Sequence, residues 1–106
     1  MDKLALLKKV ITHEIEDLEE EQEDTIIAIG GIIESAKRIF TKKSNAEMAF
    51  LTLANERGIG IECVVFPKVF LQYKELLIKD NAVLINGRIN SRDDKRTIIV
   101  ERISTT

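Results

Sequence analysis

The fold class this sequence predicts is all-β: five short strands curled into a barrel, with accessory helices, one of them between the third and fourth strands and a helical segment in front. Beyond residue 24, apolar residues stop recurring at helical spacing and appear as β-branched, alternating runs. Short turns carrying Gly, Asn or other polar residues separate five such runs. Only the stretch after Pro67 returns to helical spacing.

Leu4, Leu7, Val10 and Ile11 recur at helical spacing, so residues 2–11 read as an amphipathic helix. Thr12 is placed to cap a second short helical segment. Glu14, Glu16 and Asp17 lie near its positively polarised N-terminus, and Ile15 and Leu18 give it one apolar side. Residues 19–24 are almost all acidic and read as a solvated linker. The first strand is expected over 26–33, where Gly30-Gly31 marks a bulge or sharp bend that lets a long strand serve two sheets. Strands over 48–53 and 59–66 follow, joined by Asn55-Glu56-Arg57-Gly58. Pro67 suits the first turn of a helix, and Val69, Phe70, Tyr73, Leu76 and Leu77 give that helix an apolar face. After an Asp80-Asn81 turn come strands over 82–90 and 96–103, with a polar hairpin over 91–95.

The order β-β-β-α-β-β, with no internal repeat, is that of an OB-fold, a five-stranded Greek-key barrel. Its helix is expected to close one barrel end with Val69, Tyr73 and Leu76. An SH3-like barrel is the rival, and a helix of about twelve residues from Pro67 onward weighs against it. The expected division is a helical, acidic leader over 1–24 and the barrel domain over 25–106.

At 106 residues there is room for one domain. The net charge of −2 hides an asymmetry: residues 1–24 hold nine acids against three bases, and residues 25–106 hold thirteen bases against nine acids. The acidic pI of 5.5 therefore belongs to the leader, and the barrel by itself is basic. No apolar run approaches the ~20 residues of a membrane span, and no secretory signal core is present, so a cytoplasmic location is expected. The single cysteine, Cys63, excludes an internal disulfide framework and alternates into the core as a buried, inert thiol. His13 is the only histidine and has no companion ligand, the carboxylates of 14–24 lack Ca²⁺-loop spacing, and Lys42-Lys43 follows no glycine-rich phosphate loop. No nucleophile constellation can be assembled, so no catalysis, metal or cofactor is expected from these residues.

Strand alternation turns Ala49, Leu51 and Leu53 inward and Phe50 and Thr52 outward. In the next strand it turns Ile61, Cys63 and Val65 inward, with Glu62, Val64 and Phe66 outside. A large ring on the outer face of a sheet suits base stacking; the alternative is that Phe50 packs under the β1–β2 loop or the leader. Lys37, Arg38, Lys42 and Lys43 are expected in the β1–β2 connection, and Arg92, Lys95 and Arg96 in the β4–β5 hairpin. In an OB-fold these two loops flank one face, so the bases would converge on a groove that tracks a phosphate backbone. Glu47 and Glu62 oppose this and argue for modest affinity. Binding of this kind is sequence-tolerant and strongly salt-dependent. The acidic leader should compete with nucleic acid for the basic barrel, so removing residues 1–24 is expected to tighten binding.

The runs Thr41-Lys42-Lys43, Met48-Ala49-Phe50-Leu51-Thr52-Leu53, Ile61-Glu62-Cys63-Val64-Val65-Phe66-Pro67 and Asn86-Gly87-Arg88, with Gly58 between the second and third, carry a family likeness. The chain resembles the OB domain near the C-terminus of the bacterial DNA polymerase III α subunit, over roughly residues 12–103. Ser44 stands where that family has a loop glycine, Asn45-Ala46-Glu47 replaces a shorter approach to Met48, and Asn55 replaces an aspartate before the turn. The resemblance implies an accessory role, holding single-stranded template near a polymerase whose catalytic aspartates lie in another domain. It implies as partners single-stranded DNA, other domains of the α subunit and replisome subunits. A related domain in aspartyl-type tRNA synthetases has a stacking Phe at the position of Phe50, which supports that role here. Two other readings stay open: a protein-interaction module, including self-association through the stripe of residues 4–11, and an RNA- or tRNA-binding domain.

Overall fold

The computed structural model describes residues 13, 15–43, 45–92 and 95–105, with the side chains of Glu19 and Arg92 left aside. The amphipathic helix expected over 2–11 lies outside the described residues. A 3₁₀ turn, Ile15–Glu20, leads into strands β1 (Ile26–Phe40), β2 (Glu47–Ala54) and β3 (Gly60–Val65). Helix α1 (Pro67–Tyr73) and a second 3₁₀ turn, Lys74–Leu76, precede β4 (Ala82–Arg92) and β5 (Lys95–Ser104).

The strands close a barrel in the order β1-β2-β3-β5-β4. All neighbours are antiparallel except β3 and β5, which run parallel through Glu62↔Thr97, Cys63↔Ile98 and Val64↔Ile99. β1 joins both sides of the barrel, its first half pairing with β4 from Ile26 to Ile32 and its second half with β2 from Ile32 to Phe40. The pattern expected a strand ending at residue 33, but β1 runs seven residues further. Its polar second half (Glu34, Ser35, Lys37, Arg38) looks like loop in isolation, yet β2 supplies a full ladder for it.

The irregularity in the β1–β2 register falls between Ile33 and Ser35, past the Gly30-Gly31 pair. Gly31 serves a different need, close approach: a Cβ there would sit 2.6 Å from the Ala54 carbonyl oxygen. Gly87 is similar, lying at the register shift of β4 against β5 with the Ile99 carbonyl where its Cβ would be.

Inward residues of all five strands form one core, including Ile29, Leu51, Cys63, Ile85 and Ile98, all fully buried. α1 closes the end where β3 finishes. Pro67 sits in its first turn, where a missing N–H costs nothing, and Phe70 drops fully into the core. Val69, Tyr73 and Leu76, expected as the plug, are only partly buried and pack against the core. The helical run is also shorter than expected, seven α residues and a 3₁₀ turn.

The opposite end, where β3 begins, is covered by the Ile15–Glu20 turn, which buries Ile15 and Leu18 among the barrel residues. Its exit is stitched to β4 by Asp24 N–H donating to the Ile89 carbonyl and Ile89 N–H to the Thr25 carbonyl. Its polar side grips the β2–β3 turn. Glu16 accepts from Asn55 Nδ2 at 2.5 Å and pairs with Arg57 at 2.8 Å, while Asn55 Oδ1 accepts the backbone N–H of Arg57 and Ile59. An aspartate at residue 55 could accept those two N–H groups but could not donate to Glu16.

Candidate nucleic-acid interface

Cross-strand register, more than sequence proximity, decides which side chains share the outer face, because directly opposed residues stand side by side. Lys37 opposes Phe50, Phe50 opposes Val64, Val64 opposes Ile99, and Ile99 opposes Arg88. One row therefore crosses all five strands: a cation at each edge, and a ring and two β-branched side chains between them. Lys37 and Arg88 are exposed, Phe50 and Ile99 half-buried, and Val64, in the middle of the apolar stretch, buried. Next to it runs a polar row, Ser35–Thr52–Glu62–Thr97–Asn90.

Phe50 and Thr52 thus take the outward positions that alternation assigns them. Phe50 is half-buried because neighbours on both sides flank its ring, leaving part of it open to solvent. Lys37 and Arg38 are not in a loop as expected; both belong to β1 and, being consecutive, they face opposite ways. Lys37 stands beside Phe50. Arg38 turns to the α1 end, its guanidinium 5.5 Å from the Phe70 ring centroid and its Nη2 donating to the Lys74 carbonyl at 3.5 Å. Arg38 therefore braces the helix and leaves the outer row.

Lys42 and Lys43 are exposed on a tight turn organised by Thr41, whose N–H donates to the Ala46 carbonyl and whose carbonyl accepts from Asn45. That turn sits at the start of β2. Lys95, at the start of β5, is level with the far end of β2, since Glu62 opposes both Thr52 and Thr97. The two basic loops flank the face from opposite ends, about seven residues or ~23 Å apart along β2. They do not converge on one point. Arg92 ends β4 opposite Lys95.

Lys95 and Arg96 border a groove of about 940 Å³ whose other walls include Thr52, Glu34, Glu62 and Ile59, with Ile15, Glu16 and Leu18 from the 3₁₀ turn. Its carboxylates outnumber its cations. Arg96 Nη1 is buried without a hydrogen-bond partner. Cys63 lies behind this face, fully buried, and desolvation pushes its thiol from 9.0 up to about 12, the Glu62 charge adding to the shift. Among the described residues, no group of three His, Cys, Asp or Glu side chains is arranged to hold a metal ion.

Val64, Ile99 and Arg88 were not singled out as site residues from sequence, although Val64 was assigned outward. Alternation within β4 and β5 gives their facing only once the β3–β5 and β4–β5 registers are known.

A family model described as an OB-fold nucleic acid binding domain matches residues 27–106. DNA polymerase III subunit alpha of Borreliella burgdorferi is 35% identical over 82 residues, and that of Aquifex aeolicus is 40% identical over 82 residues. Each match covers 77% of this chain and 7% of the relative, so the chain spans a small fraction of the curated relatives' length. The resemblance drawn from the sequence motifs is thereby matched. In structure, the barrel is similar to the OBody AM1L10 bound to hen egg-white lysozyme, with a TM-score of 0.72 at 13% identity, covering 90% of each chain. It is also similar to an SSB domain from Synechococcus, with a TM-score of 0.61 at 12% identity over 78% of this chain and 94% of that one. An asparaginyl-tRNA synthetase of Entamoeba histolytica has the same TM-score, at 18% identity over 83% of this chain and 22% of that one. At these identities the structural likenesses establish the fold. No helix among the described residues is long and apolar enough to cross a membrane.

Proposed function

This chain belongs to the OB-fold nucleic acid binding domain family, and from that premise we propose that it holds single-stranded DNA across its outer face as an accessory module of a bacterial replicative polymerase α subunit. The row Lys37–Phe50–Val64–Ile99–Arg88 carries the proposal. A base stacked on Phe50 lies over the apolar stretch, and phosphates further along the same strand reach Lys37 at one edge and Arg88 at the other. Lys42 and Lys43 extend the positive charge at one end of the face and Lys95 at the other. The module makes no bonds; its work is to keep a template strand near catalytic residues carried by other domains. Its setting is the bacterial cytoplasm, beside those domains and the replisome subunits they meet.

Fluorescence anisotropy with a labelled thymine oligomer at low salt tests the proposal. Binding should weaken steeply with added salt, and the double variant Lys37→Ala/Arg88→Ala should flatten that dependence by about two contacts' worth of slope. Absence of binding at low salt removes the proposal.

A second reading, docking of another protein, is favoured by Phe40, Phe66 and Leu71, which are 64%, 46% and 70% exposed around the α1 end of the barrel. A chain that ignores nucleic acid but self-associates in sedimentation would favour it. RNA binding is separable from DNA binding by competition between matched RNA and DNA oligomers.

A further inference from the structure

Phe66 follows the last residue of β3 and continues its extended course, with φ −70° and ψ 161°. Val65 before it is fully buried, so alternation turns Phe66 outward, to the side of Val64 and Phe50. Phe50 opposes Val64, and Phe66 lies two residues beyond Val64 on that side. The two phenylalanine positions are therefore diagonal neighbours on one face, about 7–8 Å apart. Phe40 is different: it continues the phase of Ala36 and Arg38, which turn to the core side and the Phe70 ring, away from this face.

The Phe66 ring is poorly matched to a purely structural role. Phe66 is the N-cap of α1, a position that favours a hydrogen-bonding side chain such as Ser or Asp, and it makes no side-chain cap. It is 46% exposed, so much of the ring gains nothing from burial. Its backbone is nonetheless fixed. Pro67 restricts it to an extended conformation, and its carbonyl accepts the Phe70 N–H at 2.8 Å. Beside it on β2 stands Met48, an outward residue that is only 7% exposed, with Ile39 opposed to it on the other side. An open ring on a fixed backbone next to an apolar neighbour stacks with little ordering cost.

We propose that Phe66 is a second stacking platform, taking the nucleobase next to the one stacked on Phe50. The inference rests on the nucleic-acid reading above. The step between the two positions is about twice the ~3.4 Å rise per nucleotide of one strand in B-DNA, so neighbouring bases reach both rings only after parting from each other. That selects an extended single strand over a duplex. It adds no base preference, because every base has a face to stack. It also leads the strand towards the turn that presents Lys42 and Lys43, which precedes β2 at this end of the face.

The chain has no tryptophan, so Phe66→Trp introduces a single reporting indole. Titrated at low salt with a labelled thymine oligomer of about 12 nucleotides, its fluorescence should be quenched in step with the rise in the oligomer's anisotropy. An oligomer of the same length built of abasic sugars should quench it little at equal saturation. Phe66→Ser, which supplies the missing cap, should hold or raise the thermal midpoint while weakening thymine-oligomer binding about five- to tenfold with the salt slope unchanged. An unquenched indole in the bound complex, or a Phe66→Ser affinity equal to the parent's, overturns the second platform and leaves strand binding standing. Quenching that follows protein concentration and ignores the oligomer also overturns it, by making Phe66 a contact between proteins. No binding to any oligomer overturns both readings.

Discussion

Replacing Leu18 with alanine separates a structural leader from a solvated tether. Leu18 is 1% exposed and lies in the same cluster as the inward residues of the barrel. The substitution removes three carbon groups, at ~0.8 kcal/mol each about 2.4 kcal/mol of lost burial. Incomplete collapse of the barrel end around the cavity raises the cost to about 2.5–4 kcal/mol. For a domain of this size that lowers Tm by roughly 10–25 °C. Urea unfolding measures it directly: the midpoint should fall while the m-value holds. Glu20→Ala, on an exposed residue of the same turn, should stay within about 0.5 kcal/mol of the parent. A Leu18→Ala cost below about 1 kcal/mol would refute the packing described here. The result also decides how leader electrostatics can be tested. Deleting residues 1–24 removes Ile15 and Leu18 together with the acids, so the competition expected from the leader is better probed by charge-neutralising changes at Glu20, Glu23 and Asp24, which should tighten DNA binding at low salt.

Gly31→Ala should destabilise by about 1–3 kcal/mol, because the backbone oxygen of Ala54 at 2.6 Å from the new Cβ cannot rotate away; thermal melting reads it. Asn55→Asp should cost roughly 1–2 kcal/mol by exchanging a donor to Glu16 for a second carboxylate, and adding Glu16→Gln should restore most of it in a double-mutant cycle. Cys63 should resist thiol reagents at pH 8 until the chain is unfolded. Its folded thiol is raised from 9.0 to about 12, so its contribution is fully present below pH 9 and is lost as pH rises from there towards 12. A native-state reaction rate equal to that of the urea-unfolded chain would contradict this burial.

What sequence revealed and what it withheld follow from how far each pattern reaches. In β2 and β3 the polar residues Thr52 and Glu62 set the phase of the side-chain alternation, so Phe50 outside and Cys63 inside were both legible. The second half of β1 was not, because Glu34 to Arg38 has too few apolar residues to signal a strand, and its conformation comes from pairing with β2. Arg38 shows the consequence: placed in a loop it looks like a DNA contact, placed in a strand it faces Phe70. The plug of the barrel was misplaced for a related reason. Several apolar residues of α1 share a helical face, and only its docking angle selects Phe70 over Tyr73. Arg88 and Ile99 entered the candidate row through strand register, which local periodicity does not encode. The short helical segment around Ile15 and Leu18 was visible, but its role as a barrel cap depended on the Asn55 and Arg57 contacts made across the fold.

The most direct measurement is a two-dimensional NMR titration of the isotope-labelled chain with a thymine oligomer at low salt, which locates the strand residue by residue. Shifts should concentrate on Lys37, Phe50, Val64, Ile99 and Arg88, and Phe50→Ala should weaken binding by ~1–3 kcal/mol. Shifts confined to Phe40, Phe66 and Leu71 at the α1 end, or an affinity indifferent to Phe50→Ala, would contradict a strand held across the outer face of the barrel.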